Sequence, residues 1–215
     1  MQRNIYIIGA QSTGKSTIVS ALEDHFTNCQ SSTSIPPSIV REVARGVMSK
    51  QQDSANEIAR SPEAMLELQG LIIKAQAIAE RKVVTSSSSA MQMEEAPPFF
   101  ISDRSAIDPI VYARQYVGPR ESEQLMSLED WQLMCKRMAC SLIVVCEADV
   151  SWLTQDGVRL MPSTTGEWLQ TQDLFRQILK EVSLPFVVLP KELTDIADRV
   201  AFVVKHWRSS SVTTS

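Results

Sequence analysis

Short apolar runs alternate with longer amphipathic ones along this chain. Residues 4–9 (NIYIIG) are β-branched and aromatic and end on glycine, as expected of a strand buried on both faces. A helix is expected from residue 16 to about residue 26. Residues 29–37, rich in Ser, Thr and Pro, read as a loop before a second short strand at 38–41, which leaves Glu42 at its carboxyl end. Ser61-Pro62-Glu63 then offers an N-cap hydroxyl, a proline that loses nothing at the first helical position, and a carboxylate at the positive end of the helix dipole. The helix it opens runs to about residue 81, with Met65, Leu68, Ile72, Ala75 and Ala79 on one apolar stripe.

Further strands are expected at 99–102, 141–146 and 184–189, and further helices at 106–117, 127–139, 167–181 and 192–207. This α/β alternation implies parallel strands joined by right-handed crossovers, with helices on both faces of the sheet. One stretch breaks the rhythm. Residues 84–98 hold four consecutive serines and a proline pair, too little apolar surface to order themselves, so a disordered surface insertion is expected at about 84–97. Otherwise residues 1–207 read as a single domain, and 208–215 as a flexible polar tail.

Composition narrows the function. The hydrophobic share of 44% and the charged share of 21% suit a globular core. A net charge of −4 with interspersed signs leaves no basic stripe for a phosphate backbone, so nucleic acid is not expected as a partner. Cys29, Cys135, Cys140 and Cys146 lack zinc-site spacing and read as buried thiols in a reducing compartment. The apolar run near the start, 5–10, falls far short of the ~20 residues that span a bilayer and lacks a cleavage-type flank. A cytoplasmic protein without a membrane span is expected.

The most specific chemistry lies between the first strand and the first helix. Gly9-Ala10-Gln11-Ser12-Thr13-Gly14-Lys15-Ser16 matches G-x-x-x-x-G-K-[ST], and Thr17 continues into the helix. In such a loop the glycines let successive N–H groups converge on phosphate oxygens, and the helix N-terminus adds its positive end. Lys15 would reach the β- and γ-phosphates of ATP or GTP, while the Ser16 hydroxyl would ligate Mg²⁺. A second magnesium contact in P-loop proteins comes from an acidic residue closing a neighbouring strand. Phe99-Phe100-Ile101-Ser102-Asp103 has that form, although Asp103 and Ser105 also suit the cap of the following helix. Asp103 is followed by Arg-Ser-Ala rather than x-x-Gly, and no N/T-K-x-D guanine reader occurs, which disfavours a signalling GTPase. Arg104 stands where a motor ATPase would place a water-activating Glu.

Asp103-Arg104-Ser105 resembles the D/E-R-S/Y signature of nucleoside and nucleotide kinases. The stretch from Cys146 through Glu147, Asp149, Trp152, Asp156 and Gly157 to Arg159 resembles the strand and lid of the ribosylnicotinamide kinase domain in bacterial NAD-salvage proteins. With Arg-Glu-Val-Ala-Arg at 41–45, the whole chain resembles the AAA-labelled, ribosylnicotinamide-kinase-like domains common in fungi. The resemblance implies a three-layer P-loop NTPase fold with a five-stranded parallel sheet in the order 2-3-1-4-5, and a site at the carboxyl ends of the strands. It makes Glu42 the base for an acceptor hydroxyl, Arg104 a phosphate or substrate contact, and Arg159 a lid arginine meeting γ-phosphate charge. The bland alternatives are an ion pair of Glu42 with Arg41 or Arg45, a structural salt bridge for Arg104, and an exposed turn for Arg159. Two functions remain in play: an ATP-dependent kinase acting on a small nucleoside-like acceptor, or a regulatory nucleotide-binding protein, since these domains also resemble a GTP- and phosphoinositide-binding trafficking protein of insect photoreceptors.

Overall fold

The computed structural model describes residues 3–28, 36–50, 61–88, 99–148 and 164–209. Its centre is a strand of four fully buried residues, β1 (Ile5–Ile8). In chain order follow α1 (Lys15–Asn28), β2 (Ser38–Val40), α2 (Ala44–Met48), α3 (Pro62–Ser88), β3 (Phe100–Asp103) and α4 (Ile107–Tyr116). Then come α5 (Pro119–Met126), α6 (Glu129–Ala139), β4 (Leu142–Cys146), α7 (Thr165–Glu181), β5 (Val187–Leu189) and α8 (Ile196–Ser209).

The five strands are parallel in the order β2-β3-β1-β4-β5, as expected for a P-loop kinase fold. β1 pairs with β3 on one side, Ile5 opposite Ile101, and with β4 on the other, Ile5 opposite Leu142. Because side chains alternate across a strand, each central strand feeds two cores. Tyr6, Ile8, Phe100, Ile143 and Val145 meet side chains from α3, α4, α6 and α7, whereas Ile5, Ile7, Ile101 and Val144 meet α1 and α8. This two-sided demand explains why β1 and β4 read as continuous apolar runs.

Three expectations are corrected. Residues 84–88, assigned to a disordered insertion, continue α3, where the Thr85 hydroxyl donates to the carbonyls of Arg81 and Lys82 and so suits the helical backbone. The rest of that insertion, 89–97, lies outside the described residues. The polar tail likewise begins later, because α8 includes Arg208 and Ser209. Of the cysteines, Cys146 is buried, Cys135 half-buried and Cys140 exposed, so burial does not hold for all, and Cys29 lies outside the described residues. Among the described residues two helices escaped the pattern, α2 and α5, each shorter than the roughly 11-residue window over which helical periodicity stands out. No described helix is long and apolar enough to cross a membrane.

Candidate active site

The loop between β1 and α1 turns on two glycines with left-handed backbone. At Gly9 (φ 135°) a β-carbon would lie 2.7 Å from the backbone carbonyl oxygen of Cys146, so only glycine fits where the loop crosses β4. Ser12 is also left-handed, at φ 59°. The Thr13 hydroxyl donates to the Ala10 carbonyl at 2.9 Å and closes the loop on itself. From α7, the indole N–H of the buried Trp168 donates to the Gln11 carbonyl at 3.0 Å. From α8, the Arg199 guanidinium donates to the Thr13 carbonyl at 3.1 Å. The P-loop is thus held from three sides.

Lys15 is buried, its ammonium donating to the Ala10 carbonyl at 2.5 Å and to the Thr13 hydroxyl at 3.3 Å. Burial, reinforced by the nearby Arg104 cation, pulls its pKa down to about 8. Residues 12–17, Arg104, Thr194, Ile196 and Arg199 line a cleft of about 430 Å³, within the usual range for a small-molecule site. Burial also pushes the Cys146 thiol beneath the loop up to about 11, against the opposing pull of Lys15 and Arg199. It remains a neutral core group.

The Ser16 hydroxyl donates to Asp103 Oδ2 at 2.5 Å, bringing the end of β3 to the start of α1. The other carboxylate oxygen, Oδ1, is buried without a hydrogen-bond partner among the described residues. An orphaned carboxylate oxygen beside a hydroxyl is a hard-oxygen pair of the kind that suits Mg²⁺. These two residues therefore fit the ion expected there.

Arg104 follows with a left-handed backbone, φ 83°, unusual for a side chain of this size. Two bonds hold it: its N–H donates to the Ile7 carbonyl at 3.0 Å, and its carbonyl accepts from the Ser102 hydroxyl at 2.8 Å. The turn aims a buried guanidinium at two carboxylates. Nε donates to Glu42 Oε1 at 2.7 Å, and one terminal nitrogen to Asp108 Oδ1 at 3.2 Å. Burial opposes its charge, but Tyr112, Glu42 and Asp108 together outweigh burial and raise its pKa, so Arg104 stays a cation. Glu42 also accepts from Arg45 Nε at 3.1 Å, so the ion pair named as its alternative role exists beside the Arg104 contact. Asp108 additionally takes the backbone N–H and hydroxyl of Ser105, at 2.8 and 3.2 Å. Capping of α4 therefore falls to Asp108 and Ser105, and Asp103 is left facing Ser16.

A second, mostly apolar cavity adjoins the first. Glu42, Arg104, Gln69 and Tyr112 face it, together with Met48 and Ile72. Arg104 lines both cavities. The structure thus gathers the loop residues 9–17 with Glu42, Asp103 and Arg104 at the carboxyl ends of β1, β2 and β3. Arg159, Asp149, Trp152 and the rest of the expected lid lie outside the described residues.

Residues 4–199 match the profile of a family described as an AAA domain. The chain belongs to this AAA domain family. No curated protein shows a significant match to it. Among solved structures, the NadR protein in complex with NR is similar over 99% of this chain and 52% of its own, with a TM-score of 0.65 at 19% identity. A thymidylate kinase from Ehrlichia chaffeensis is similar over 95% and 97%, with a TM-score of 0.59 at 17% identity. A deoxyadenosine kinase from M. mycoides, bound to dCMP and dCDP, is similar over 96% and 99%, with a TM-score of 0.57 at 14% identity. The AAA domain described here thus has the fold of P-loop kinases, and it spans about half the length of the NadR chain.

Four residues of this AAA domain's site were not singled out from the sequence. Asp108 lies four residues after Arg104 on α4, a spacing that pairs opposite charges, and could have been found from it. Trp168, Gln69 and Arg199 sit in helices, where polar or aromatic positions are indistinguishable in one sequence from ordinary packing.

Proposed function

We propose that this AAA domain is a Mg²⁺-dependent kinase that transfers the γ-phosphoryl of ATP to a hydroxyl of a small nucleoside-like acceptor. The observation that carries this reading is Arg104, which lines the P-loop cleft and the adjoining cavity and binds Glu42 of the latter. A simple nucleotide switch has no use for a half-buried carboxylate beside a second cavity.

In this reading the loop N–H groups of residues 9–17 and the Lys15 ammonium hold the phosphates. Ser16 and Asp103 would hold the magnesium ion, which would offset the negative charge of the phosphates. Glu42 takes the proton of the acceptor hydroxyl, since a carboxylate oxygen accepts more than one hydrogen bond and can keep Arg104 while doing so. The acceptor oxygen then bonds to the γ-phosphorus as the bond to the β-bridging oxygen breaks, and ADP leaves. Arg104 sits where charge grows during that exchange, and by resemblance Arg159 meets the same charge from the lid.

The test offers ATP and Mg²⁺ with nicotinamide riboside and the common nucleosides, and reads phosphorylated product by mass. Product that vanishes in Glu42→Gln, with ATP binding intact, supports the kinase. Failure of every acceptor, with unchanged behaviour of Glu42→Gln and Arg159→Ala in cells that require the protein, moves the assignment to a regulatory nucleotide-binding protein.

A further inference from the structure

Gln69, on the inner face of α3, is only 2% exposed. Among the described residues its Oε1 has no hydrogen-bond partner, and its Nε2 donates only to the Met65 sulfur at 3.3 Å, a weak acceptor. A buried amide left in this state costs stability, and its replacement by an apolar side chain of similar shape is often neutral or stabilising. Within the fold the residue has no structural return for that cost. Gln69 faces the cavity that Glu42, Arg104 and Tyr112 also line, and a second small cavity bounded by Gln76 and Asp108. The remaining walls are apolar, from Met48 of α2 and Leu68 and Ile72 of α3. One end of the cavity therefore carries a carboxylate suited to a hydroxyl, and another wall carries an amide with an unused acceptor.

We propose that Gln69 is the residue that selects the acceptor, and that the acceptor carries a flat amide- or base-type edge with an N–H donor for Gln69 Oε1. This rests on the kinase reading above and adds the group that the second cavity recognises. The flat ring lies between Ile72, Met48 and Tyr112, and the edge pairs with the Gln69 amide, which accepts one hydrogen bond and donates another. Entry displaces α2 rather than the sheet, since none of the five residues of α2 is buried. An acceptor that is a bare sugar, or an acid such as shikimate, has no such edge and leaves the amide unpaired. A site built to hydrogen-bond its substrate rejects analogues that lack the partner far more strongly than an apolar pocket does.

The experiment compares wild type with Gln69→Leu and Gln69→Glu, each with ATP and Mg²⁺. The probes are nicotinamide riboside, adenosine, cytidine, thymidine and free ribose. The expected result is that Gln69→Leu folds with an unchanged or higher melting temperature, binds ATP as wild type does, and raises KM for the preferred nucleoside by roughly ten- to a hundredfold. Gln69→Glu keeps the shape, loses the donor, and also weakens that nucleoside. A lower melting temperature for Gln69→Leu with an unchanged KM makes Gln69 structural and overturns the proposal while the kinase reading stands. Ribose used as well as a nucleoside has the same consequence. A wild-type protein that phosphorylates no probe overturns both together.

Discussion

The two halves of the cleft are built by different means. On the side of β1, α1 and α8, recognition is mostly backbone: loop N–H groups, two left-handed glycines and one buried lysine, fixed by Trp168 and Arg199 through carbonyls. On the side of β2, α2 and α3, it is side chains: a chain of paired charges through Arg45, Glu42, Arg104 and Asp108, with an unpaired amide beyond it. A backbone cradle suits a ligand that never changes, such as a triphosphate. Side chains can be exchanged without refolding a loop, so the second half is where specificity can vary.

The largest effect should come from separating binding from chemistry. Glu42→Gln removes the proposed base and keeps the shape, so transfer to an acceptor should fall by roughly 10²–10⁴ with ATP affinity unchanged, read by initial rates beside calorimetric titration. A parallel loss of ATP affinity would mean that the two halves are not separate. In the other half, Lys15→Ala should abolish the thermal response to ATP and Mg²⁺. In wild type, ligand at a hundredfold excess over Kd adds about 2.7 kcal/mol, or roughly 5–11 °C for a chain of this size.

Next in size is the charged chain itself. Asp108→Ala takes one carboxylate from the buried Arg104 and the cap from Ser105, and should cost about 3 kcal/mol in denaturant unfolding. A cost near zero would mean that Glu42 alone suffices for Arg104.

The smallest effect is a pH dependence confined to the backbone half. Burial holds Lys15 at about 8, below its ordinary 10.5, and phosphate oxygens favour the ammonium, so ATP binding should take up a proton near pH 8. Affinity should then fall by up to about tenfold per pH unit above 8, until the raised pKa of the complex is passed. The sign for the nucleotide-free protein is opposite: a lysine whose folded pKa is lowered binds fewer protons folded than unfolded, so stability should rise from pH 8 towards 10.5. Calorimetry in two buffers of different ionisation enthalpy, with melting curves across that range, checks both.

The backbone half was legible from sequence because its requirements are local. Gly9, Gly14, Lys15 and Ser16 sit at fixed spacings, and the strand before them and helix after them need only short windows to read. Asp103 was legible for the same reason, at the end of an apolar run. The side-chain half depends on contacts across long separations, and there the reading thinned. Glu42 was placed by its strand end, but its bond to Arg104 spans 62 residues, and that of Trp168 to the loop spans 157. No periodicity encodes such pairs. Gln69 was invisible because a glutamine in a helix is ordinary until its amide is seen to lack a partner. The serine run misled for a different reason: composition argued for disorder at 84–88, yet the preceding helix propagates through it, and adding a residue to an existing helix is far easier than starting one.

The position of β1 in the middle of the sheet also bears on how the chain is made. Its neighbours are β3 and β4, so Ile5 waits for Ile101 on one side and Leu142 on the other. During synthesis the IYII segment leaves the ribosome before either neighbour and stays without a strand partner until about ninety further residues have followed. Contacts of such separation make folding slow, and an apolar strand left unpaired is prone to association with other chains. Without β1, the pairs β2 with β3 and β4 with β5 would stay separate, and β1 is the strand that joins them into one sheet. The earliest of the five strands is thus the one that makes them a single sheet.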